Sequence, residues 1–585
     1  MRKIICTNLI TRKNSIYLGL WAIKDSEILS YKNKKVIDFI WRNKKSFLKD
    51  SIVIKKIIWK LYQKLFLSLN KTHNTKYSKK FWKILIFPWV YYYVSALYFR
   101  WQCIKKIKKK NNIFIFAKKI KFDKYNYDDN IEIFIDNHWN QKIFQEIVLC
   151  QKKNYIYQKI SQNYKSKKKK NILIFIFSLI PNSAIDKINR LISFLKKKEV
   201  FFIRSPYVFK IFIFSFFKKY DSDFLNKFFF EKLNNLLIQS GNSQINLKSK
   251  FDFFLKKIYR PKTEFEKFLL QRIAEDIPNN LVQDFNNYLN RHIKFRNAKI
   301  ILTSYSLFEQ TPSKFYIAEQ VDKGSTLYLI EHGGSLASKE EMLNLETTVV
   351  DKKITWFKPL IKKHIQIPTH PYRYLDFNKK NNSNKKNKNI VIIGTGDYKY
   401  IWNCTFNLKP PQLLEVIENL KHFYNFLNYD LKKKVFIKPH SAYKSNTAFD
   451  LIKFYKTIFN ERIIKTTSLV ETVKNAKIIV CTYPETTFAL SIYSSVPTIL
   501  LYNKDHYIFH NKTNNLIKKL IKNKIIFHNS KEAAKHINQI WDKPEAWYNS
   551  LEVKKVRNLF LKTALGMEFP RDIEKEKKNW NMILN

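Results

Sequence analysis

Two short glycine clusters contain the residues best suited to chemistry. They are Glu331-His332-Gly333-Gly334 and Gly394-Thr395-Gly396. The chain has only 8 glycines in 585 residues, so we expect them at tight turns or where the backbone approaches a ligand closely. A histidine in such a turn, with a pKa near neutrality, can remove a proton from an attacking hydroxyl group. We therefore interpret His332 as a candidate catalytic base with Glu331 beside it; an ordinary structural turn is the alternative.

Residues in the second half of the chain have the chemistry of a phosphate site. Lys438 and His440 flank a proline at the end of an apolar run, and such groups can neutralise a diphosphate. Thr486 and Thr487 open a helical pattern, where free N–H groups and hydroxyls bind phosphate. The alternative for Lys438 and His440 is a solvated loop, and the alternative for the two threonines is an ordinary helix cap. The pattern predicts that these residues bind phosphate together.

A polar and aromatic cluster precedes another helical pattern. Asn137, His138 and Trp139 directly follow Asp136. Amide and aromatic side chains are suited to binding a sugar ring, whereas Asp136 by itself would be an ordinary helix cap. The sequence contains no P-loop, GxSxG, HExxH or DxD motif, and its 5 cysteines form no CxxC pair. These absences disfavour a serine hydrolase, a P-loop kinase and a zinc protease, and we assign no metal ligand and no permanently bound cofactor.

Strand-like and helix-like segments alternate along much of the chain, which is typical of parallel sheets covered by helices. Apolar runs predict strands that end close to Glu331, Gly394 and Lys438, and a run at 131–135 predicts a strand before Asn137. The candidate residues would then lie at the carboxyl ends of strands, where open α/β sheets bind ligands.

A run of lysine and asparagine at 378–389 could not build a core and indicates an exposed linker. We therefore predict an α/β fold with two Rossmann-like domains, a helical insertion in the first domain, and a helical tail. The cleft between the domains is the natural ligand site. The predicted boundaries are 1–367 for the first domain, 368–389 for the linker, 390–530 for the second domain and 531–585 for the tail.

The net charge of +61 is spread over the whole chain. We attribute most of it to a genomic bias towards lysine codons and to solvated surface. Attraction to an anionic membrane surface or to a phosphorylated ligand is the alternative. No zinc-finger spacing, RNA-binding aromatic signature or basic heptad array is present, so nucleic acid is not a predicted partner.

The apolar segment 84–101 has the minimum length of a membrane span but contains Pro88 and Arg100. We expect a buried or interfacial helix there. The first residues lack the apolar core of a signal peptide, and widely spaced cysteines fit a reducing compartment. These features favour a cytoplasmic location. Peripheral attachment to the inner membrane face is an open alternative that is compatible with them.

Several motifs, taken in order, resemble a family of transferases encoded in bacterial O-antigen and surface-carbohydrate loci. They are 81–91, 137–140, 331–334, 485–490, Trp541, Trp547 and 557–560. A weaker similarity links His332-Gly333 and Pro439-His440 to wall teichoic acid glycerophosphotransferases. In those enzymes the two histidines activate the acceptor and bind the donor phosphate, which implies the same roles for His332 and His440.

The resemblance implies a glycosyltransferase of the GT-B type that needs no metal. Such an enzyme would move a sugar or related unit from a nucleotide-activated donor to a surface-glycan acceptor, with His332 and Glu331 catalytic. The implied donor-binding residues are Gly394, Gly396, Lys438, His440, Glu485, Thr486 and Thr487. The implied acceptor-binding residues are Asn137, His138, Trp139, Gly333 and Gly334.

Two alternatives stay open. One is polymer synthesis of the glycerophosphotransferase kind. The other is a non-catalytic scaffold or lipid-carrier-binding protein at the inner membrane face, suggested by the basic surface and by segment 84–101. The chain also departs from the family pattern, because Ser335 replaces an expected glycine and His138 replaces an expected cysteine. These departures concern the acceptor rather than the fold.

Overall fold

The strands form three parallel sheets in the part of the chain that the structure, a computed structural model, describes. The α/β class predicted from the sequence is confirmed. The region 1–367, predicted as one Rossmann-like domain, contributes two of these sheets. The described residues are 2–10, 12, 14–117, 132–158, 200–203, 246–291, 299–304, 307–308, 313–331, 344–367, 389–405, 408–440, 448–465, 468–567, 574 and 578–579.

The N-terminal sheet has the strand order β2-β1-β3-β4. Its strands are β1 (Lys3–Ile5), β2 (Ile16–Tyr17), β3 (Asn112–Phe116) and β4 (Tyr155–Gln158). The helices of this region are α1 (Lys44–His73), α2 (Lys79–Lys106), α3 (Glu132–Ile135) and α4 (Asn137–Cys150). The predicted strand at 131–135 is wrong, because this segment forms α3. A short apolar run does not distinguish a buried strand from a buried helical turn.

Helix α2 contains the 84–101 segment and is enclosed by protein. Between residues 81 and 104 only Lys83 and Gln102 are not buried, as expected for a helix that is apolar all round. It packs against α1 and α4, so the predicted buried helix is confirmed. Among the described helices, none is both long and apolar enough to cross a membrane.

The middle sheet has the sequential order β5-β6-β7-β8-β9. Its strands are β5 (Val200–Ile203), β6 (Ile300–Thr303), β7 (Thr326–Ile330), β8 (Lys352–Thr355) and β9 (His364–Gln366). Its helices are α5 (Leu247–Ile258), α6 (Glu264–Asp276), α7 (Phe285–Arg291), α8 (Ser313–Asp322) and α9 (Leu345–Val349). Helix α2 also packs against α6, α8 and α9, so one buried helix supports both sheets of the first 367 residues.

The C-terminal sheet has the order β11-β10-β12-β13-β14. Its strands are β10 (Ile390–Ile393), β11 (Val435–Lys438), β12 (Ile478–Cys481), β13 (Thr498–Leu501) and β14 (Ile526–Phe527). Its helices are α10 (Leu413–Phe426), α11 (Tyr429–Lys432), α12 (Leu451–Phe459), α13 (Leu469–Lys474), α14 (Thr486–Tyr493) and α15 (Asn514–Lys522). Every residue of β10, β12 and β13 is buried, as expected for parallel strands covered on both faces.

The helical tail follows the C-terminal sheet and packs back onto it. It consists of α16 (Ser530–Ile540), α17 (Pro544–Tyr548) and α18 (Leu551–Leu565). Helix α18 lies against α14 and α15, and its Thr563 carbonyl accepts a hydrogen bond of 3.2 Å from the backbone N–H of Lys358. The tail therefore also contacts the segment between β8 and β9.

Candidate functional site

In the C-terminal sheet, the side on which successive strands are added changes at β10. The chain passes from β10 to β11 on one side and then to β12 on the other. Loops that leave the carboxyl ends of β10 and β12 diverge, and such a switch point forms the ligand crevice of open α/β sheets. The hydroxyl of Thr482, just after β12, donates a hydrogen bond of 2.8 Å to the Ile393 carbonyl at the end of β10. We call the space beside these loops the switch-point crevice.

Gly394 and Gly396 allow the loop after β10 to lie close to its neighbours. A Cβ atom at Gly394 would lie 2.7 Å from the Tyr455 hydroxyl oxygen, and one at Gly396 would lie 3.1 Å from the His440 Cβ. In the structure the two glycines pack closely against protein atoms of Tyr455 and His440, whereas the predicted close approach was to a ligand. Contact of the two glycines with a donor stays a prediction.

His440 stands where the loops after β10, β11 and β12 meet. It lines a small cleft with Gly396 and Asp397, and its ring centroid lies 6.5 Å from that of Tyr483 in an edge-on arrangement. Burial lowers the pKa of His440, and the nearby Glu485 opposes this effect. A neutral imidazole of this kind can still donate a hydrogen bond to an anion.

Lys438 lies beside Gly394 at the carboxyl end of the sheet. It pairs with Ile393 in the parallel register, and the N–H of Gly394 donates a hydrogen bond of 2.9 Å to its carbonyl. Burial lowers the pKa of Lys438, while Glu471 acts in the opposite direction. The structure therefore brings together Gly394, Gly396, Lys438 and His440, as the sequence motifs suggested.

Helix α14 begins at the switch-point crevice. Glu485 occupies its N-cap position without a side-chain capping bond, and Thr486 is the first helical residue. Thr487 differs from its predicted role, because it is 3% exposed and its hydroxyl is hydrogen-bonded to the Tyr483 hydroxyl. Thr487 thus stabilises the first turn from inside the protein, whereas Glu485 and Thr486 are partly exposed.

Asp397 is a crevice residue that was not among the predicted site residues, although it directly follows Gly396. Its Oδ1 accepts a hydrogen bond of 2.7 Å from the N–H of Tyr398. The side chain is partly exposed to the crevice, yet close protein atoms reduce its hydration and raise its pKa to about 6. The positive charge of Lys409 opposes this rise. The glycine motif before it was the signal that could have drawn attention to this acid.

The cluster around Asn137 lies next to the chain that leaves the crevice. The Tyr400 hydroxyl donates a hydrogen bond of 2.7 Å to Asn137 Oδ1. Asp136 caps α4 by accepting from the N–H groups of His138 at 2.7 Å and Trp139 at 3.0 Å, which was the alternative interpretation of this cluster. His138 is partly exposed, and burial lowers its pKa while Asp136 opposes that shift.

Trp139 corrects the predicted acceptor site. Its side chain is 1% exposed and lies under the Arg100 guanidinium, whose carbon is 5.2 Å from the ring centroid. A ring enclosed in this way is not accessible to a sugar. The sequence could not distinguish a core tryptophan from a ligand-binding one, because both occur at the start of amphipathic helices.

Arg100 connects α2 to α3, to α4 and to the segment that follows β10. Its guanidinium donates hydrogen bonds of 3.0 Å to the Ile401 carbonyl, 2.8 Å to the Phe134 carbonyl and 2.5 Å to Asn140 Oδ1. Burial lowers the pKa of Arg100 to about 9. The segment after the crevice is therefore held from inside the N-terminal region, which no sequence motif indicated.

Glu331 directly follows β7 and forms an ion pair. Its carboxylate lies 2.7 Å from the ammonium of Lys353, a buried residue that also contacts Glu346 at 2.6 Å. The carbonyl of Glu331 accepts a hydrogen bond of 3.1 Å from the Trp356 indole. A carboxylate engaged in this way is suited to fixing the end of the strand. Ser304 directly follows β6, the strand that pairs with β7.

The other residues of the first glycine cluster, His332, Gly333 and Gly334, lie outside the described residues. Their catalytic and acceptor-side roles stay predictions. Among the described residues, no group of three or more His, Cys, Asp or Glu side chains could hold a metal ion. The expectation of a metal-independent reaction likewise stays a prediction.

A family model described as LIC12162 family transferase matches residues 5–577. The chain belongs to this transferase family. The match covers nearly the entire length and confirms the transferase family resemblance seen in the motifs. Among curated proteins, none matches this chain.

The solved structures that are similar to parts of this chain include TarM, TagF and MurG. TarM of S. aureus has a TM-score of 0.30 at 12% identity, over 49% of this chain and 55% of TarM. The wall teichoic acid polymerase TagF has a TM-score of 0.28 at 11% identity, over 49% of this chain and 71% of TagF. MurG of Acinetobacter baumannii has a TM-score of 0.29 at 11% identity, over 62% of this chain and 95% of MurG. The match therefore spans about half the length of TarM, and similarity at this level says nothing about activity.

Proposed function

We propose that this transferase is a glycosyltransferase that uses a nucleotide-activated donor and a surface-glycan acceptor. The observation that carries the proposal is the switch-point crevice, where the loops after β10, β11 and β12 converge on His440. This is the position at which open α/β sheets bind nucleotides. Membership of the transferase family supports the reaction class, and the crevice would hold the donor.

The donor diphosphate would lie between the end of β11 and the start of α14. Lys438 would neutralise its charge, and His440 would donate a hydrogen bond from a neutral ring. The first N–H groups of α14 point along the helix axis and favour an anion at this end. Binding of the diphosphate would raise the depressed pKa values of Lys438 and His440, because a nearby negative charge stabilises their protonated forms.

The acceptor would react from the side of the middle sheet. Its hydroxyl oxygen would form a bond to the anomeric carbon while the bond from that carbon to the diphosphate oxygen breaks. His332 would take the hydroxyl proton, and the nucleoside diphosphate would leave with its charge balanced by Lys438. Glu331, held by Lys353, would fix the strand end that carries His332.

A thermal-shift screen with UDP-, CDP-, GDP- and CMP-activated compounds tests the donor site. One nucleotide class should raise the melting temperature in a concentration-dependent way, because a ligand that binds only the folded state stabilises it. Lys438→Ala should abolish that rise, whereas Lys421→Ala, an exposed lysine of the same domain, should leave it intact.

The same screen separates the alternatives. A response to CDP-glycerol with transfer of glycerophosphate would replace the glycosyltransferase proposal by the glycerophosphotransferase one. The absence of a response to every nucleotide would favour a non-catalytic scaffold. A response that survives Lys438→Ala would show that the nucleotide binds away from the crevice.

A further inference from the structure

The outer side of α1 is strongly basic. This 30-residue helix buries one side and exposes the other, and positions spaced by three or four residues fall on the same side. The exposed or half-exposed side carries Lys45, Lys49, Lys55, Lys56, Lys60, Lys64 and Lys71. Such a row over about 40 Å of helix creates a continuous positive surface.

Carboxylates are nearly absent from this side. The one acidic residue of α1, Asp50, faces inward, where its Oδ2 accepts a hydrogen bond of 2.9 Å from the Trp41 indole. Lys60, at the boundary, pairs with Glu266 at 2.6 Å. The remaining lysines of α1 therefore add their charges with little compensation from the helix itself.

Large apolar side chains lie among the lysines. Ile52 is 48% exposed, Val53 38% and Leu67 41%. Helix α5 packs beside α1 and adds Phe253, which is 61% exposed. These are four of the twelve exposed large hydrophobic residues in the described part of the chain, so apolar exposure is concentrated here.

Helix α5 extends the same chemistry. The ammonium of Lys71 on α1 lies 5.9 Å from the ring centroid of Phe254 on α5, which places the two outer sides next to each other. Exposed Lys250 and Lys257 lie one turn before and after Phe253. We call the outer sides of the two helices, from Lys45 to Lys71 and from Lys250 to Lys257, the α1–α5 face.

We propose that the α1–α5 face docks on an anionic membrane surface. Lysines would contact lipid phosphates, and the apolar side chains between them would enter the headgroup region, as in interfacial amphipathic helices. Charge complementarity selects this partner. A nucleic acid would neutralise the lysines too, but aliphatic side chains such as Ile52 and Leu67 cannot stack on bases and would remain in water.

Co-sedimentation of the full chain with vesicles measures this docking. Binding is expected to vesicles of phosphatidylcholine with phosphatidylglycerol and not to phosphatidylcholine alone, and to weaken as salt is raised. In the variant Lys45→Glu/Lys49→Glu, the affinity for these vesicles should fall about fivefold or more for each lysine replaced. The matched variant Lys518→Glu/Lys522→Glu, on exposed positions of α15 with the same spacing, should bind like the original chain.

Removal of the apolar side chains tests insertion separately. Phe253→Ser should weaken vesicle binding, whereas Tyr429→Ser, at a residue that is 72% exposed elsewhere, should not. If Lys518→Glu/Lys522→Glu weakened vesicle binding as much as Lys45→Glu/Lys49→Glu, the attraction would depend on overall charge. That result would overturn the assignment of docking to the α1–α5 face. Binding of an RNA oligonucleotide that depends on Lys45 and Lys49, with no vesicle binding, would also overturn it. These measurements need no donor or acceptor, so their outcome is independent of the transferase activity.

Discussion

The Tyr400 hydroxyl donates a hydrogen bond to Asn137 Oδ1 over 2.7 Å. Asn137 begins α4 of the N-terminal region, while Tyr400 follows the switch-point loop of the C-terminal sheet by only a few residues. Arg100 reinforces the same junction through the Ile401 carbonyl. A residue predicted to bind the acceptor is therefore bonded directly to the segment that follows the loop predicted to bind the donor.

A double-mutant cycle on this pair should show that the bond is shared. Tyr400→Phe and Asn137→Ala are each expected to lower the free energy of unfolding by about 1 kcal/mol. The double variant should lose less than the sum, because the second change removes no further bond. Chemical denaturation of the four proteins measures this. Strictly additive losses would show that the bond contributes nothing.

Asp397 should make stability depend on pH. Its pKa rises from an ordinary 3.8 to about 6 in the folded protein, so the folded state binds the proton more tightly than the unfolded state. Stability is therefore expected to fall as pH rises from about 4 to about 6, with no further change from this group above that. Melting temperatures of the original chain and of Asp397→Asn across this range test it, and the Asn variant should show a smaller fall. Parallel curves would mean that another group is responsible.

Gly394 should not tolerate a side chain. In Gly394→Ala the new Cβ would meet the Tyr455 hydroxyl oxygen at 2.7 Å, and we expect a loss of about 1–3 kcal/mol from overpacking. Tyr455→Phe removes that oxygen and should restore part of the loss when combined with Gly394→Ala. Unfolding free energies of the two single variants and the double variant provide the comparison. A double variant no more stable than Gly394→Ala would place the strain elsewhere.

Substitution of His332 should impair the transfer reaction, whereas substitution of Lys438 should impair nucleotide binding. His332→Ala is expected to reduce transfer at least a hundredfold while nucleotide still raises the melting temperature, because it removes the base and leaves the donor site. Lys438→Ala should lose the nucleotide response itself. A transfer assay with the identified donor, run beside the thermal-shift measurement, distinguishes the two. Unchanged turnover in His332→Ala would remove this residue from the mechanism.

The C-terminal sheet shows how much local pattern can predict. Four runs, each four residues long, appear as β10, β11, β12 and β13, because largely apolar segments rich in β-branched residues suit a sheet covered on both faces. The loops at their carboxyl ends were recognisable from Gly394, Gly396 and His440. The order of the strands could not be recognised from the sequence, since it depends on contacts between residues far apart in the chain.

Burial was the second property that the sequence left open. Segment 84–101 and the outer side of α1 both contain apolar and basic residues, yet the first is enclosed and the second faces solvent. Trp139 was assigned to a ligand and lies in the core instead. Which side of a helix meets water depends on the neighbours that pack against it, and those neighbours come from distant parts of the chain.

The sequence by itself determined the α/β class, the transferase motifs and the strand ends that precede Glu331, Gly394 and Pro439, because periodicity and turn chemistry act over a few residues. Tertiary structure alone decided that the two sheets of the first 367 residues share one buried helix, that the crevice opens at β10, and that Tyr400 reaches Asn137. Those features follow from packing between segments hundreds of residues apart, where each contact forms only once the others are in place.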